Sequence, residues 1–180
     1  MIPEKAIRGF FKSHHPFIDD SDLPRRAEVA LVLDVSLDNN DPNILFIQRA
    51  ECEKDPWSGQ MAFPGGRRET TDLVDGDAAR RETAEEIGLE LGAAQLIGRL
   101  NDMRGRHGGR SADLMISCFV FVTDQIEQLA LNHEVADVMH AHQHERGGEV
   151  YDVMHALTES RRVPNTPHRW PPFSISRHNG

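Results

Sequence analysis

The sequence predicts a mixed α/β fold in which helices pack on the faces of a mixed β-sheet. Strand-type and helix-type stretches are interspersed without the strict alternation of a wholly parallel sheet. The chain has 180 residues, of which 38% are hydrophobic and 27% charged. This length and composition are typical of one globular domain with its own core, so we expect residues 1–180 to form a single domain.

The first third of the chain predicts a helix, a hairpin and a short strand. Residues 3–13 have an amphipathic helical pattern, and the polar stretch after them ends it. Apolar stretches at 27–36 and 44–50 flank the turn-type sequence LDNNDPN, which indicates a β-hairpin. Residues 59–66 predict a short strand that ends in a Pro-Gly-Gly turn.

The middle of the chain predicts a second helix and two further strands. A polar loop runs to Gly76, the helix follows, and Gly88 lies where a helix end favours positive φ. Residues 93–102 and 112–124 have strand-type patterns. We expect the Gly- and Arg-rich sequence MRGRHGGRS between them to be a loop.

The last third is less regular. Residues 134–142 fit either a strand or a helix, and residues 150–157 predict the start of a helix. From about residue 163 the sequence predicts an irregular tail.

Charge and composition exclude several classes of function. A net charge of −9 argues against general affinity for nucleic acid, because that affinity depends on Lys and Arg. No apolar run approaches the ~20 residues that span a membrane, and the first 20 residues lack signal-peptide features. Cys52 and Cys118 form neither a disulfide framework nor a metal-ligand pattern. We therefore expect a cytoplasmic protein that binds neither nucleic acid nor membrane.

Three carboxylates lie close together within residues 79–91, ARRETAEEIGLEL. At about 100° per residue, Glu85 lies roughly 60° to one side of Glu82 and Glu86 roughly 40° to the other, so they share one helix face. Like charges at this spacing repel, which indicates a compensating cation. Mg²⁺ is usually held by a few carboxylates and substrate phosphates. The alternative is a solvated acidic face balanced by nearby basic residues.

The wider context favours the metal interpretation. Gly65 and Gly66, followed by RETAEEIGL at 81–89, resemble the signature box of the Nudix hydrolases, here at about 65–89. This resemblance implies a Nudix-type α/β/α sandwich with a central mixed β-sheet. It also implies Mg²⁺- or Mn²⁺-dependent hydrolysis of a nucleoside diphosphate linked to another group, with a metal-activated water attacking phosphorus.

The resemblance implies roles for the matching residues, which are Arg81, Glu82, Glu85, Glu86, Gly88 and Leu89. Glu82 would be a metal ligand or the general base. Glu85 and Glu86 would be metal ligands, and Arg81 would orient a carboxylate. Glu82, Glu86 and Arg81 are thus the candidate catalytic residues. The main-chain carbonyl of Gly65 is a further candidate metal ligand.

The box departs from the common family pattern in three ways. Thr83 occupies a position that is normally aliphatic. The stretch from Gly66 to Arg81 is one residue longer than usual. The spaced acidic residue is interpreted as Asp72 in place of the usual Glu, with Glu69 as the competing candidate.

The stretch before the box indicates a substrate. Gly59 and Gln60 precede Phe-Pro-Gly-Gly at 63–66, which resembles the coenzyme A pyrophosphatase branch of the family. The chain departs from that branch at 55–57, where it has Asp-Pro-Trp instead of a basic residue and a histidine. The resemblance thus implies a small nucleotide substrate, with a coenzyme A species as the first candidate. ADP-ribose, a dinucleotide or an oxidised nucleoside triphosphate is the alternative; a non-catalytic nucleotide-binding module is a third, and it would be expected to have lost box carboxylates.

Basic residues near the predicted site suit phosphate binding. Arg104, Arg106 and Arg110 form a local cationic stretch that could clamp an extra phosphate, as in coenzyme A, or could be a solvated connection. Arg67 is a similar candidate directly after the glycine pair, and Gly66 lets backbone approach a phosphate closely.

A few residues are weaker candidates. Glu134 fits a position where some Nudix enzymes carry a further acid, and Trp57, like Trp170, could stack on a base or cover the edge of the core. The alternating histidines His140, His142 and His144 are expected to form an exposed polar edge rather than a metal site. The tail stops short of the branch's usual terminal helix, so a homodimer in which a partner covers the exposed edge is a further expectation.

Overall fold

The computed structural model describes residues 2–21, 25–53, 58–107, 110–126, 128–141 and 175–177, with 106–107, 110–112 and 175–177 described by their backbone alone. Its helices are α1 (Glu4–Ser13) and α2 (Asp77–Ile87). Its strands are β1 (Arg26–Asp34), β2 (Asn43–Arg49), β3 (Met61–Ala62), β4 (Gly65–Arg67), β5 (Leu96–Arg99), β6 (Met103–His107), β7 (Arg110–Thr123), β8 (Val135–Ala141) and β9 (Ile175–Arg177). Neither helix in these ranges has the length and apolar character to cross a membrane.

The strands form one mixed sheet, as the sequence predicts. The strand order is β5-β7-β1-β2-β8-β9, with β3, β4 and β6 pairing alongside it. β1 and β7 are parallel from Arg26 opposite Met115 to Asp34 opposite Thr123. β1 and β2 are antiparallel, which confirms the predicted hairpin.

The hairpin strands diverge, and the segment before α2 fills the gap. β1 pairs with β2 only over Val32–Asp34, and its first half pairs instead with β4. β3 pairs with the second half of β2. The stretch at 59–66, predicted as one strand, is therefore two short strands, because each follows a different partner. This arrangement places Gly65 and Gly66 beside β1 in the middle of the sheet.

The two helices cover opposite faces of the sheet. Alternate residues of β1 belong to two separate apolar clusters. One cluster contains Ile7 and Phe11 of α1, and the other contains Ala79 and Ile87 of α2. The α/β/α sandwich is thus confirmed, with the box helix on the face opposite α1.

The prediction that MRGRHGGRS forms a loop is wrong in part. Its first five residues form β6, and the chain returns along the extended first half of β7. β5 pairs with β7 only from Phe119 onwards, so the edge of β7 before Phe119 would have unpaired backbone groups. β6 satisfies those groups, which outweighs the loop-forming tendency of the glycines.

The structure decides the ambiguous stretch at 134–142 in favour of strand, since β8 pairs with β2. Part of the predicted irregular tail is also a strand, because Ile175–Arg177 pair with Met139–Ala141 at the edge of the sheet. The helix predicted at 150–157 lies outside the described residues.

Two glycines give a matched test of how α1 packs. A Cβ at Gly98 would overlap the ring of Phe11, whereas a Cβ at the exposed Gly9 within α1 would meet nothing within 4 Å. We expect Gly98→Ala to lower the unfolding free energy by about 1–3 kcal/mol through overpacking. Gly9→Ala should raise it by about 0.5–1 kcal/mol through helix propensity. Chemical denaturation measures both, and equal effects would contradict the packing of α1 on β5.

Candidate active site

The N terminus of α2 is held by a carboxylate from β1. Gly76 precedes the helix with φ 87° and offers no capping side chain. Glu28 Oε2 instead accepts hydrogen bonds from the amides of Gly76 (3.1 Å) and Ala78 (3.0 Å). Burial raises the pKa of Glu28, against the lowering effect of Arg68 and of the Ala78 and Ala79 amides. The sequence analysis missed Glu28, although a charged residue within an apolar strand was the available signal.

The glycine pair lets the helix carboxylates lie against β4. A Cβ at Gly66 would overlap the Glu82 carboxylate. Gly65 has φ 149°, and a Cβ there would overlap the backbone of β1. The Gly65 amide donates a hydrogen bond to Glu86 Oε2 at 2.9 Å. Glycine is therefore required at Gly65 by close approach of backbone and by backbone conformation, whereas a side chain at Gly66 would displace the Glu82 carboxylate.

Arg81 lies between the carboxylates of the box. Its Nη1 donates to Glu82 Oε1 at 3.0 Å and to Glu85 Oε2 at 3.3 Å. Its Nη2 donates to the main-chain carbonyl of Arg67 at 3.0 Å. Hydrogen bonds to Asp72 and, to a smaller extent, to Glu82 raise the pKa of Arg81, so the side chain is a permanent cation at this site.

Of the two acidic residues left open by the sequence, Asp72 contacts Arg81. The Asp72 carboxylate is buried and accepts from Arg81 Nε and Nη2, both at 3.3 Å, and from the Glu69 amide at 2.7 Å. Burial opposes ionisation of Asp72, but these hydrogen bonds outweigh it and lower its pKa. Glu69 is exposed and contributes its amide to this loop.

Two box carboxylates lie where ionisation is unfavourable: Glu86 is buried and Glu82 is half-buried. Burial raises the pKa of Glu86 to about 7, and the negative charges of Glu82 and Glu134 act in the same direction. The Gly65 amide opposes that rise. Burial also raises the pKa of Glu82, although Arg81 lowers it. Glu85 is exposed at 56% of its side chain. The pocket therefore has an excess of negative charge that Arg81 neutralises only in part.

Glu134 reaches the site through the segment that follows β7. The amides of Ala130 and Asn132 donate to the carbonyls of Ile87 and Glu86 at the end of α2, each at 2.9 Å. This segment leads into β8 and brings the Glu134 charge close enough to raise the pKa of both Glu82 and Glu86. The structure thus groups Glu134 with the box, as the sequence suggested. It also adds Arg49 of β2, whose charge lowers the pKa of Glu86 and which the sequence analysis did not identify.

The departures from the family pattern have local explanations. Thr83 is fully buried, and its hydroxyl donates to the Ala79 carbonyl at 2.6 Å, so its polar group is satisfied within α2. In the longer loop before the helix, the amides of Leu73 and Val74 both donate to Asp77 Oδ2 at 2.9 Å. The loop is therefore an ordered part of the site.

The arginines proposed to bind phosphate differ in their exposure and their contacts. Arg104 is 53% exposed and contacts Asp19 Oδ2 at 3.3 Å and Ser21 Oγ at 3.3 Å. Arg67 has an exposed side chain beside the glycine pair. The backbones of Arg106 and Arg110 lie in β6 and β7, and their side chains lie outside the described structure.

Trp57, Trp170, His142 and His144 lie outside the described residues. His140 is described, and the prediction of an exposed edge is wrong for it: the residue is 8% exposed, with Nδ1 3.5 Å from Asp34 Oδ2. It is buried because β8 lies between β2 and β9.

The donor set suits a hard divalent cation, since three carboxylates and a main-chain carbonyl at Gly65 are oxygen ligands. In the observed conformation Glu82 and Glu85 contact Arg81, and no three His, Cys, Asp or Glu side chains converge on one point within the described ranges. The raised pKa values of Glu82 and Glu86 mark the negative charge that a cation would neutralise.

The raised pKa of Glu86 predicts that the stability of the metal-free chain depends on pH. Its folded pKa of about 7 lies above the ordinary value of 4.5. Between these values the folded state binds more protons than the unfolded state, so the unfolding free energy falls as pH rises. Glu86→Gln keeps an oxygen acceptor for Gly65 and removes this loss. We expect it to exceed the wild type in stability by on the order of 2–3 kcal/mol at pH 8, and by below about 1 kcal/mol at pH 5.

Denaturation in the presence of EDTA at both pH values measures this difference. Glu90→Gln, at an exposed position just beyond α2, is the matched control and should show no such pH dependence. An equal effect of Glu86→Gln at the two pH values would contradict the buried, uncompensated carboxylate.

Comparison with known proteins gives the family. The model of the NUDIX domain matches residues 25–157. The chain is 35% identical to an uncharacterized protein of Schizosaccharomyces pombe over an alignment of 133 residues; the match covers 64% of this chain and 40% of that protein. It is 33% identical to Nudix hydrolase 15, mitochondrial, of Arabidopsis thaliana over an alignment of 101 residues; the match covers 55% of this chain and 35% of that protein. The chain thus spans well under half the length of these two relatives.

The fold comparison agrees. The crystal structure of a MutT/nudix family protein from Enterococcus faecalis superposes with a TM-score of 0.53 at 15% identity, over 82% of this chain and 62% of that one. The family match at 25–157 includes the glycine pair, the whole of α2 and the segment with Glu134. The chain therefore belongs to the Nudix family.

Proposed function

We propose that this protein hydrolyses the diphosphate linkage of a nucleoside diphosphate derivative with Mg²⁺ or Mn²⁺. One observation carries the proposal: Glu82, Glu85 and Glu86 share a helix face against the glycine pair, with Arg81 as their main counter-ion. Glu86 is buried, Glu82 is half-buried, and both have raised pKa values, which costs stability unless a cation binds.

Glu82, Glu85, Glu86 and the Gly65 carbonyl would hold the cation. When bound, a divalent cation supplies charge neutralisation at the diphosphate and makes an attacking water more acidic. It would also take over the neutralisation of Glu82 and Glu85 that Arg81 provides in the observed conformation. Arg81 would keep its contacts with Asp72 and with the Arg67 carbonyl, which hold it beside the site.

The chain's own groups suit proton transfer and orientation. A carboxylate with a raised pKa accepts a proton at neutral pH more readily than an ordinary one, so Glu82 is the proposed general base if it is not committed to the metal. Arg81 orients Glu82 through the hydrogen bond at 3.0 Å. Positioning and charge stabilisation supply most of the acceleration in such reactions, so no covalent nucleophile is needed.

For the substrate, we propose a coenzyme A species. The support is the Gly59-Gln60 pair before Phe-Pro-Gly-Gly at 63–66, which resembles the coenzyme A branch. Arg104 is an exposed cation that could receive the extra phosphate of that substrate. ADP-ribose, a dinucleotide and an oxidised nucleoside triphosphate are tested beside it.

The direct test is mass spectrometry of products. The purified chain is incubated with Mg²⁺ or Mn²⁺ and, separately, with coenzyme A, ADP-ribose, NADH, a dinucleoside polyphosphate and oxidised dGTP. We expect cleavage of coenzyme A at the diphosphate, into 4′-phosphopantetheine and 3′,5′-ADP. Glu86→Gln should lose at least about 100-fold in turnover because it removes a charged metal ligand, while Glu90→Gln should keep the wild-type rate.

The outcomes separate the parts of the proposal. Cleavage of another compound with coenzyme A untouched would leave the hydrolase and reject the coenzyme A assignment. Nucleotide binding without cleavage of any compound would favour the non-catalytic binding module. A Glu86→Gln variant that retains the wild-type rate would reject the carboxylate face as the metal site.

Arg104 allows a test of the extra phosphate. Arg104→Gln should raise the KM for coenzyme A about 3–10-fold, an amount typical of a lost charged contact, and should change the KM for 3′-dephospho-coenzyme A little. Asp19→Asn frees Arg104 from its partner and should shift the KM for coenzyme A in the opposite direction. Equal KM changes for both substrates would show that Arg104 serves the structure of β6 instead.

A further inference from the structure

A charged pair, Glu28 and Arg68, lies between the sheet and the start of α2. Glu28 pairs across the sheet with Gly66, so both residues face α2. The space that a Cβ of Gly66 would take is filled by the Glu82 carboxylate. Glu28 therefore lies beside Glu82 under the same helix. Neither Glu28 nor Arg68 is among the metal ligands proposed above.

Glu28 ties the sheet to the beginning of the helix. Its carboxylate is 3% exposed and accepts both the Gly76 and Ala78 amides. These two hydrogen bonds supply the N-terminal cap that Gly76 lacks. Glu28 therefore joins β1 directly to the first turn of α2.

Arg68 ties the same carboxylate to the loop before the helix. Its Nε lies 3.5 Å from Glu28 Oε1, and its Nη2 donates to the Asp72 carbonyl at 3.0 Å. The Asp72 carboxylate in turn holds Arg81, which contacts Glu82. A continuous series of contacts therefore runs from Glu28 to the metal-binding carboxylates.

A second anchor holds the end of the same loop. Arg68 Nη1 lies 3.5 Å from Asp75 Oδ1, and Asp75 Oδ2 accepts from Arg99 at 2.6 Å. Arg99 also donates to the buried Asp102 at 2.7 Å. Arg68 thus contacts both Glu28 of β1 and Asp75, and Asp75 joins the loop to the Arg99–Asp102 pair.

We propose that Glu28 and Arg68 are positioning residues for metal binding: they hold the loop and the first turn of α2 so that Arg81 and the box carboxylates keep the geometry that a divalent cation requires. This inference rests on the proposed function. A buried charged pair is weak support for a stability role, since apolar replacements are often neutral or stabilising. Outer-shell partners of metal ligands, by contrast, commonly affect metal affinity strongly.

The experiment measures Mn²⁺ binding directly, by electron paramagnetic resonance and calorimetry, without turnover. The variants are Glu28→Gln, which keeps an oxygen acceptor for the amides but removes the charge, Arg68→Gln, and the double variant. Arg68 is 29% exposed, so Arg68→Gln should fold even if Glu28→Gln does not. We expect each single variant to weaken Mn²⁺ binding about tenfold. The double variant should weaken it by less than the product of the two, because both act through one series of contacts.

Phe11→Leu is the control for general destabilisation, because Phe11 packs on the opposite face of the sheet. It should lower the unfolding free energy and leave the Mn²⁺ affinity unchanged. If Phe11→Leu weakens Mn²⁺ binding as much as Glu28→Gln does, the effect is one of stability and the positioning role is overturned.

Two further outcomes are decisive. Wild-type Mn²⁺ affinity in both single variants would overturn the positioning role alone and leave the proposed function intact. A wild type that binds no Mn²⁺ would overturn the proposed function, and the positioning role with it.

Discussion

The close approach of α2 to β4 is the contact on which the candidate site depends. The Glu82 carboxylate occupies the space where Gly66 would otherwise carry a side chain, and Glu86 accepts the amide of Gly65. Because β4 is inserted between the diverging β1 and β2, this contact is made against the middle of the sheet and not at its edge. A rigid sheet strand under the helix can hold carboxylates in a pocket that is unfavourable for their charge.

That charge explains the arrangement of the residues around the helix. Burial raises the pKa of Glu86 and of Glu82, so the metal-free site is under electrostatic strain. Arg81 relieves part of it and is itself held by Asp72. A divalent cation would relieve the rest, so the predicted loss of stability of the metal-free protein at high pH and the proposed activity would have the same cause. Such a compromise between stability and function is common at active sites.

The polar residues between β1 and the helix link the fold to the chemistry. Glu28 lies between Ala27 and Val29 of β1 and is buried, where a charge is costly unless it is paired. Here it caps the helix and pairs with Arg68, so its burial is compensated in part by contacts that orient the neighbouring loop. The same strand therefore contributes apolar residues to the core and a carboxylate to the surroundings of the site.

The sequence by itself determined α1, α2, the hairpin, the box and the family resemblance, because these depend on local periodicity, turn residues and a contiguous motif. It left Glu69 competing with Asp72 for the spaced acidic position, since both are acidic residues at similar spacing and only the loop conformation brings Asp72 to Arg81. It predicted a loop where β6 forms, because the need to pair the edge of β7 is not visible locally. Glu28 was likewise found only in the structure: it lies 48 residues from Gly76 in the sequence, and sheet register alone brings the two together.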